Sequence, residues 1–211
     1  MDKKDEIKKI LDAVPGMLEP DIAEYLYDRA YECLKGPIVE IGSYMGRSTI
    51  CIARGSKAGG RERKKTPMTV YSVDPHNGGG TTPDPTWRDS FDPGTPDRKY
   101  YTNTGITFPA FKEKLIKCKV NDIVIPLVNY SELAYKAGWN GPIEMLFIDG
   151  EHRYNYVKMD LEMWGKHVIS GGIIIFHDSG HPGVKRVIDE MINNPRYTDF
   201  DGFPVFNVRV K

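Results

Sequence analysis

Apolar positions along this chain follow two rhythms that take turns, one at helical spacing and one in short continuous runs. Ile7, Ile10, Leu11 and Val14 step by three and four until Pro15-Gly16 stops them, and Pro20 stands where a second helix can begin. That helix is expected to run through Ile22, Leu26, Ala30 and Cys33 to about Lys35, with Gly36 placed to end it. Pro37 to Ile41 reads as a first strand, followed by a glycine-bracketed turn and a helix from Ser48 to Ala53. The polar run from Ser56 to Thr66, with Arg61, Arg63, Lys64 and Lys65, reads as a solvated loop. Met68 to Val73, Ile123 to Val128, Ile143 to Ile148 and Ile173 to Phe176 are further strands. Between them lie helices marked by Ile106, Phe111, Leu115 and Cys118, by a short segment from Ser131 as N-cap to Ala137, and by Tyr154, Val157, Leu161, Trp164 and Val168. A last helix carries Val184, Val187, Ile188 and Met191, and Tyr197 to Phe200 with Val205 to Val210 reads as a closing antiparallel hairpin.

Fully apolar strands that alternate with helices imply a mostly parallel sheet covered on both faces. The expected fold is therefore α/β, a Rossmann-like doubly wound sheet ending in an antiparallel hairpin, with two extra N-terminal helices. We expect a single domain, residues 1–36 packing on a core of 37–211. The stretch 76–103 is rich in Gly, Pro, Thr and Asp yet carries Trp87, Phe91, Tyr100 and Tyr101, the mix of a lid or substrate loop.

Composition narrows the partner. Lys plus Arg and Asp plus Glu both count 29 among 211 residues, so net charge offers no general attraction to nucleic acid or an anionic membrane. The apolar runs fall short of the roughly 20 residues a membrane helix needs. Cys33, Cys51 and Cys118 lack metal-ligand spacing and suit reduced core thiols, so a cytoplasmic setting and a small-molecule partner are expected, with a homo-oligomer left open.

Candidate chemistry gathers at strand ends. In Val39-Glu40-Ile41-Gly42-Ser43-Tyr44-Met45-Gly46-Arg47-Ser48-Thr49, Tyr44 stands where a pyrophosphate-binding turn needs its second glycine. The same turn is one residue short for a P-loop. Asp74 ends the second strand, where a carboxylate can accept both hydroxyls of a ribose. Together with Val73-Asp74-Pro75, Phe147-Ile148-Asp149-Gly150-Glu151-His152, Gly171-Gly172 and Phe176-His177-Asp178, the chain resembles the class I S-adenosylmethionine-dependent methyltransferases. More narrowly it resembles a small D-G-x-H subgroup related to metal-assisted sugar O-methyltransferases. The resemblance implies that Gly42, Ser43, Gly46 and Ser48 line the cofactor, that Glu40 orients the loop or the cofactor's amine, that Asp74 holds the ribose, and that Ser131 meets adenine. Asp149 joins the cofactor-binding set as well.

Methyl transfer to a hydroxyl needs an in-line nucleophile and a way to remove its proton. His152 is the candidate base beside Asp149, and Asp149, His177 and Asp178 are candidate ligands for a divalent cation, Mg2+ or Mn2+. Where the related metal-dependent enzymes place a first carboxyl or amide ligand after the fifth strand, this chain has His177. A sugar-like polar acceptor is the expected substrate. A metal-dependent hydrolase built on Asp149, His152, His177 and Asp178, and a non-catalytic S-adenosylmethionine-binding module, are the competing readings.

Overall fold

The computed structural model describes residues 2–77 and 107–211. In chain order the elements are α1 (Lys3–Ala13), α2 (Pro20–Glu32), β1 (Ile38–Ile41), α3 (Arg47–Glu62), β2 (Val70–Val73), α4 (Phe108–Lys117), β3 (Val124–Leu127) and α5 (Ser131–Lys136). There follow β4 (Ile143–Ile148), α6 (Tyr154–Trp164), β5 (Val168–Phe176), α7 (Pro182–Ile192), β6 (Tyr197–Asp201) and β7 (Phe206–Val210). The seven strands lie in the order β3-β2-β1-β4-β5-β7-β6. The first five are parallel, and β7 pairs antiparallel with both β5 and β6, which is the Rossmann-like sheet with its closing hairpin. The chain moves outward from β1 to β3 and then crosses back to β4, so the direction of winding reverses between β1 and β4. A crevice outside the carboxyl ends of those two strands is where such sheets bind ligands.

Strand alternation explains why the central strands are mostly apolar. In β4, Met145 and Phe147 enter the core beneath α1 to α4, while Leu146 and Ile148 enter the core shared with α6 and α7. Both faces are covered, so both are largely apolar, and the buried Glu40 is met by a hydrogen bond from Thr49. Ile7, Ile10 and Val14 of the first helix and its exit belong to the first core, which ties the N-terminal helices to the sheet.

The charged run after Ala53 departs from expectation: α3 continues to Glu62 instead of opening into a loop. Its small residues explain this, because helices α2 and α3 touch backbone to backbone. A Cβ on Gly55 would stand 2.1 Å from the Tyr27 carbonyl oxygen, and one on Gly59 2.1 Å from that of Tyr31. Gly59→Ala must therefore push the two helices apart, at an expected cost of about 2–3 kcal/mol and a melting temperature lower by roughly 5–10 °C in a thermal scan. The second helix also stops sooner than its pattern suggests, at Glu32. Glu144 of β4 then takes over, accepting hydrogen bonds from the N–H groups of Leu34, Lys35 and Gly36 at 2.5–2.9 Å. Among the described residues the cysteines are free, Cys33 and Cys51 buried and Cys118 half-buried, and burial raises all three thiols. Apart from His76 and Asn77, the stretch expected to form a lid lies outside the described residues.

Candidate active site

A cavity of about 940 Å³ opens at the carboxyl ends of the parallel strands. The turn after β1, Asp74 after β2, Ser131 after β3, Asp149 to Arg153 after β4 and His177, Asp178 and His181 after β5 all line it. The link between α1 and α2, Pro15 to Glu19, closes one side.

The glycine turn is fixed by geometry rather than by side-chain reach. Gly42 has φ +89°, and a Cβ there would lie 2.1 Å from the Asp149 carbonyl oxygen, so only glycine lets β1 and β4 exit this close together. Gly46, at φ +90°, begins α3 and stands behind the cavity against Phe111. Ser43 and Ser48 are buried and line the wall. Asp74 holds the turn: its Oδ2 accepts the N–H groups of Ser43 and Tyr44 at 2.9 and 2.8 Å, and its Oδ1 accepts that of His76 at 2.6 Å. Three backbone donors leave the carboxylate little capacity for both hydroxyls of a ribose, so ordering the turn is its visible work.

Glu40 is fully buried and lies outside the cavity wall. It accepts a hydrogen bond from the Thr49 hydroxyl and so links β1 to the first turn of α3, which orients the loop. Burial, opposed by Ser48 and Thr49, pushes its carboxyl from the usual 4.5 up to about 8. Between those values the folded protein keeps a proton that the unfolded chain has released, so stability falls as pH rises through this range. Glu40→Gln is expected to flatten that dependence, seen as a smaller loss of melting temperature between pH 6 and pH 8 than the wild type shows.

In the same cavity, four side chains that follow β4 and β5 converge. Ligand atoms of Asp149, His152 and Asp178 lie within 4.8 Å of one another. His152 Nε2 is 3.8 Å from Asp149 Oδ1 and 3.3 Å from Asp178 Oδ2. His177 Nδ1 sits 3.1 Å from both Asp149 Oδ1 and Asp178 Oδ2, and its Nε2 is 3.4 Å from Glu19 Oε2. Burial by itself would lower the His177 pKa, but the hydrogen bonding and charge of Asp149 and Asp178 outweigh it and raise the ring to about 11. His152 is raised too, first by its hydrogen bond to Asp149. The structure thus brings together every residue expected at the reacting centre. Both imidazoles stand beside the two carboxylates, and it is His152 whose ligand atom groups with those of Asp149 and Asp178.

Ser131 behaves differently from its expected cap. The helix N-cap is Tyr130, and the Ser131 hydroxyl donates to Asp160 Oδ1 at 2.5 Å while accepting from Trp164 Nε1 at 2.8 Å. Asp160 was missing from the expected site, although the sequence carries a signal: it falls between Val157 and Trp164 on the buried face of α6, where the pattern calls for an apolar residue. Glu19 and Arg47 were also missed. Arg47 donates from Nε to the Val14 carbonyl at 2.6 Å and from its Nη2 to that of Leu11 at 3.0 Å, fastening the Pro15 to Glu19 wall to the start of α3.

Residues 39–179 match the family described as "Methyltransferase domain". The chain belongs to that methyltransferase family. The match spans the glycine turn through Asp178, so the fold, the enzyme class and S-adenosylmethionine as methyl donor stand as the resemblance implied. Solved structures agree on the fold. The O-methyltransferase NovP is 17% identical, with 90% of this chain and 78% of that one covered at a TM-score of 0.65. An O-methyltransferase from Bacillus cereus in complex with S-adenosylhomocysteine is 16% identical, covering 98% and 91% at 0.61. The S-adenosylhomocysteine-bound methyltransferase PaMTH1 of Podospora anserina is 16% identical, covering 100% and 88% at 0.62. No helix among the described residues is long and apolar enough to cross a membrane.

Proposed function

We propose that this methyltransferase is a cytoplasmic, single-domain enzyme that transfers the methyl group of S-adenosylmethionine to a hydroxyl of a small, sugar-like polar acceptor. The observation that carries this reading is that one His–carboxylate cluster and the glycine turn line the same cavity, so that a methyl donor seated on Gly42, Ser43 and Ser48 shares it with a base. Bound S-adenosylmethionine supplies an already activated methyl group. The chain then has to hold the acceptor oxygen in line and take its proton. The His152 imidazole does the latter, with Asp149 Oδ1 and Asp178 Oδ2, 3.8 and 3.3 Å from its Nε2, stabilising the charge it gains. The wall from Pro15 to Glu19 excludes water from the acceptor side. Titration calorimetry with S-adenosylhomocysteine tests the donor site, and micromolar binding is expected; absence of binding at high micromolar concentration would refute the reading.

A cation-assisted version has its own support. Asp149, His152 and Asp178 form a mixed oxygen and nitrogen set whose ligand atoms lie within 4.8 Å of one another. That donor set suits Mn2+ better than Mg2+. These three residues would hold the ion, and there it would lower the pKa of an acceptor hydroxyl. Chelator treatment followed by re-addition of Mn2+ or Mg2+ decides between the versions: turnover that survives chelation assigns the proton to His152 alone.

A further inference from the structure

His181 lines the cavity beside the reacting cluster and takes no part in the proton transfer given to His152. Backbone geometry puts it there. Asp178 leaves β5 at φ +49°, and the turn that follows closes when the His181 N–H donates to the Asp178 carbonyl at 2.8 Å. Helix α7 starts at the next residue, and its first turn lies against the chain that carries His152. A Cβ on Gly183 would stand 2.2 Å from the His152 carbonyl oxygen and 2.5 Å from the Tyr154 nitrogen, so only glycine permits the approach. The imidazoles of His152 and His181 are thereby held with their ring centres 5.3 Å apart, inclined at 48°.

The two nitrogens of His181 have different duties. As the N-cap of α7 it accepts the Gly183 N–H at Nδ1, at 3.4 Å. A ring nitrogen that accepts carries no proton, so the hydrogen of the neutral ring is on Nε2. Among the described residues no hydrogen-bond partner meets that Nε2. Capping by itself does not call for histidine, since asparagine and serine are the preferred residues there. What histidine adds is the second nitrogen, an N–H donor carried on the cavity wall next to the base.

The sheet order says what that donor meets. The glycine turn, Asp74 and Ser131 follow β1, β2 and β3, on one side of the β4 exit, and His181 follows β5, on the other. With the methyl donor seated on the first side, the molecule on the β5 side of the reacting cluster is the acceptor. His152 takes the proton of one acceptor hydroxyl. A donor on the neighbouring ring then meets an oxygen close to that hydroxyl, one borne by the adjacent carbon.

We propose that His181 is a specificity-determining residue for the acceptor, its Nε2–H donating to an oxygen on the carbon next to the hydroxyl that is methylated. This rests on the reading of the site under Proposed function and narrows its acceptor. A compound with two neighbouring oxygens is held at both, whereas an isolated hydroxyl leaves the His181 N–H without a partner.

The test is an NMR titration of the S-adenosylhomocysteine-loaded protein with cis-1,2-cyclohexanediol and with cyclohexanol, on wild type and on His181→Asn. Asparagine keeps an oxygen for the Gly183 N–H, but its shorter side chain, turned to cap the helix, leaves the place of Nε2 without a donor. Wild type is expected to favour the diol by about 5-fold, and His181→Asn to reduce that preference to about 2-fold or less, with S-adenosylhomocysteine still bound. Equal binding of the two probes by wild type, binding of neither, or a preference that survives in His181→Asn overturns the assignment while leaving the donor site standing. Failure of wild type to bind S-adenosylhomocysteine overturns the donor reading and this inference with it. Should His181→Asn fail to fold by circular dichroism, His181→Ser, also a capping residue with no donor at the place of Nε2, is judged by the same outcomes.

Discussion

Gly42→Ala is expected to abolish measurable binding of S-adenosylhomocysteine and to lower stability by about 3 kcal/mol or more. Two independent penalties act together. The residue has φ +89°, in the region that L side chains avoid, and its new methyl would sit 2.1 Å from a backbone oxygen of Asp149. Backbone cannot swing aside as a side chain does, so either the β1 exit or the β4 exit must move. Both carry the site: Ser43 and Tyr44 are held on Asp74 from one, and Asp149 begins the reacting cluster on the other. Gly46→Ala provides the milder comparison. Its contact, 2.9 Å from Phe111 Cδ2, is with a ring that can shift, although φ +90° still strains the position. Calorimetry and thermal unfolding on the two variants check this, and equal, small losses from both would show that the turn tolerates a side chain.

The second large effect separates binding from chemistry. Asp149→Ala combined with Asp178→Ala is expected to cut turnover by about 10³-fold with S-adenosylhomocysteine affinity nearly unchanged. The side chains of these carboxylates lie beside His152 and His177, while the N–H groups of the glycine turn proposed to seat the donor are held by Asp74. Asp74→Ala should do the reverse. It strands the N–H groups of Ser43, Tyr44 and His76 at once, so affinity is expected to fall by at least about 10-fold through loss of loop order. Single-turnover rates at saturating donor, set beside binding constants, distinguish the two. Matched binding losses in the carboxylate pair and in Asp74→Ala would sink the division of labour.

The division also shows why Asp74 was only partly legible in the chain. Its place at the end of a strand marked it as a candidate for the cofactor side, and in the fold it lines the cavity beside the glycine turn. That its oxygens are spent on the backbone of a turn about thirty residues earlier follows from the parallel pairing of β1 with β2. Glu40 is a similar case: the sequence placed it beside the turn, and the fold buried it against Thr49.

What the sequence determined by itself was periodicity and punctuation. Apolar runs and helical stripes were enough for the parallel sheet, its two covered faces and the closing hairpin, because burial on both sides leaves a strand few polar positions. Glycines, prolines and acids at strand ends marked one edge of that sheet as the site. Tertiary structure decided everything that depends on distant chain segments meeting. The helix through Glu62 survives its charged sequence because Gly55 and Gly59 admit the backbone of α2. Asp160 became a cavity residue only when α6 packed beside α5 and met Ser131. Glu19 reached His177 only because α1 and α2 fold over the strand ends. Local pattern reports which face of an element is buried; the partner across that face is set by packing, and here the partners define the chemistry.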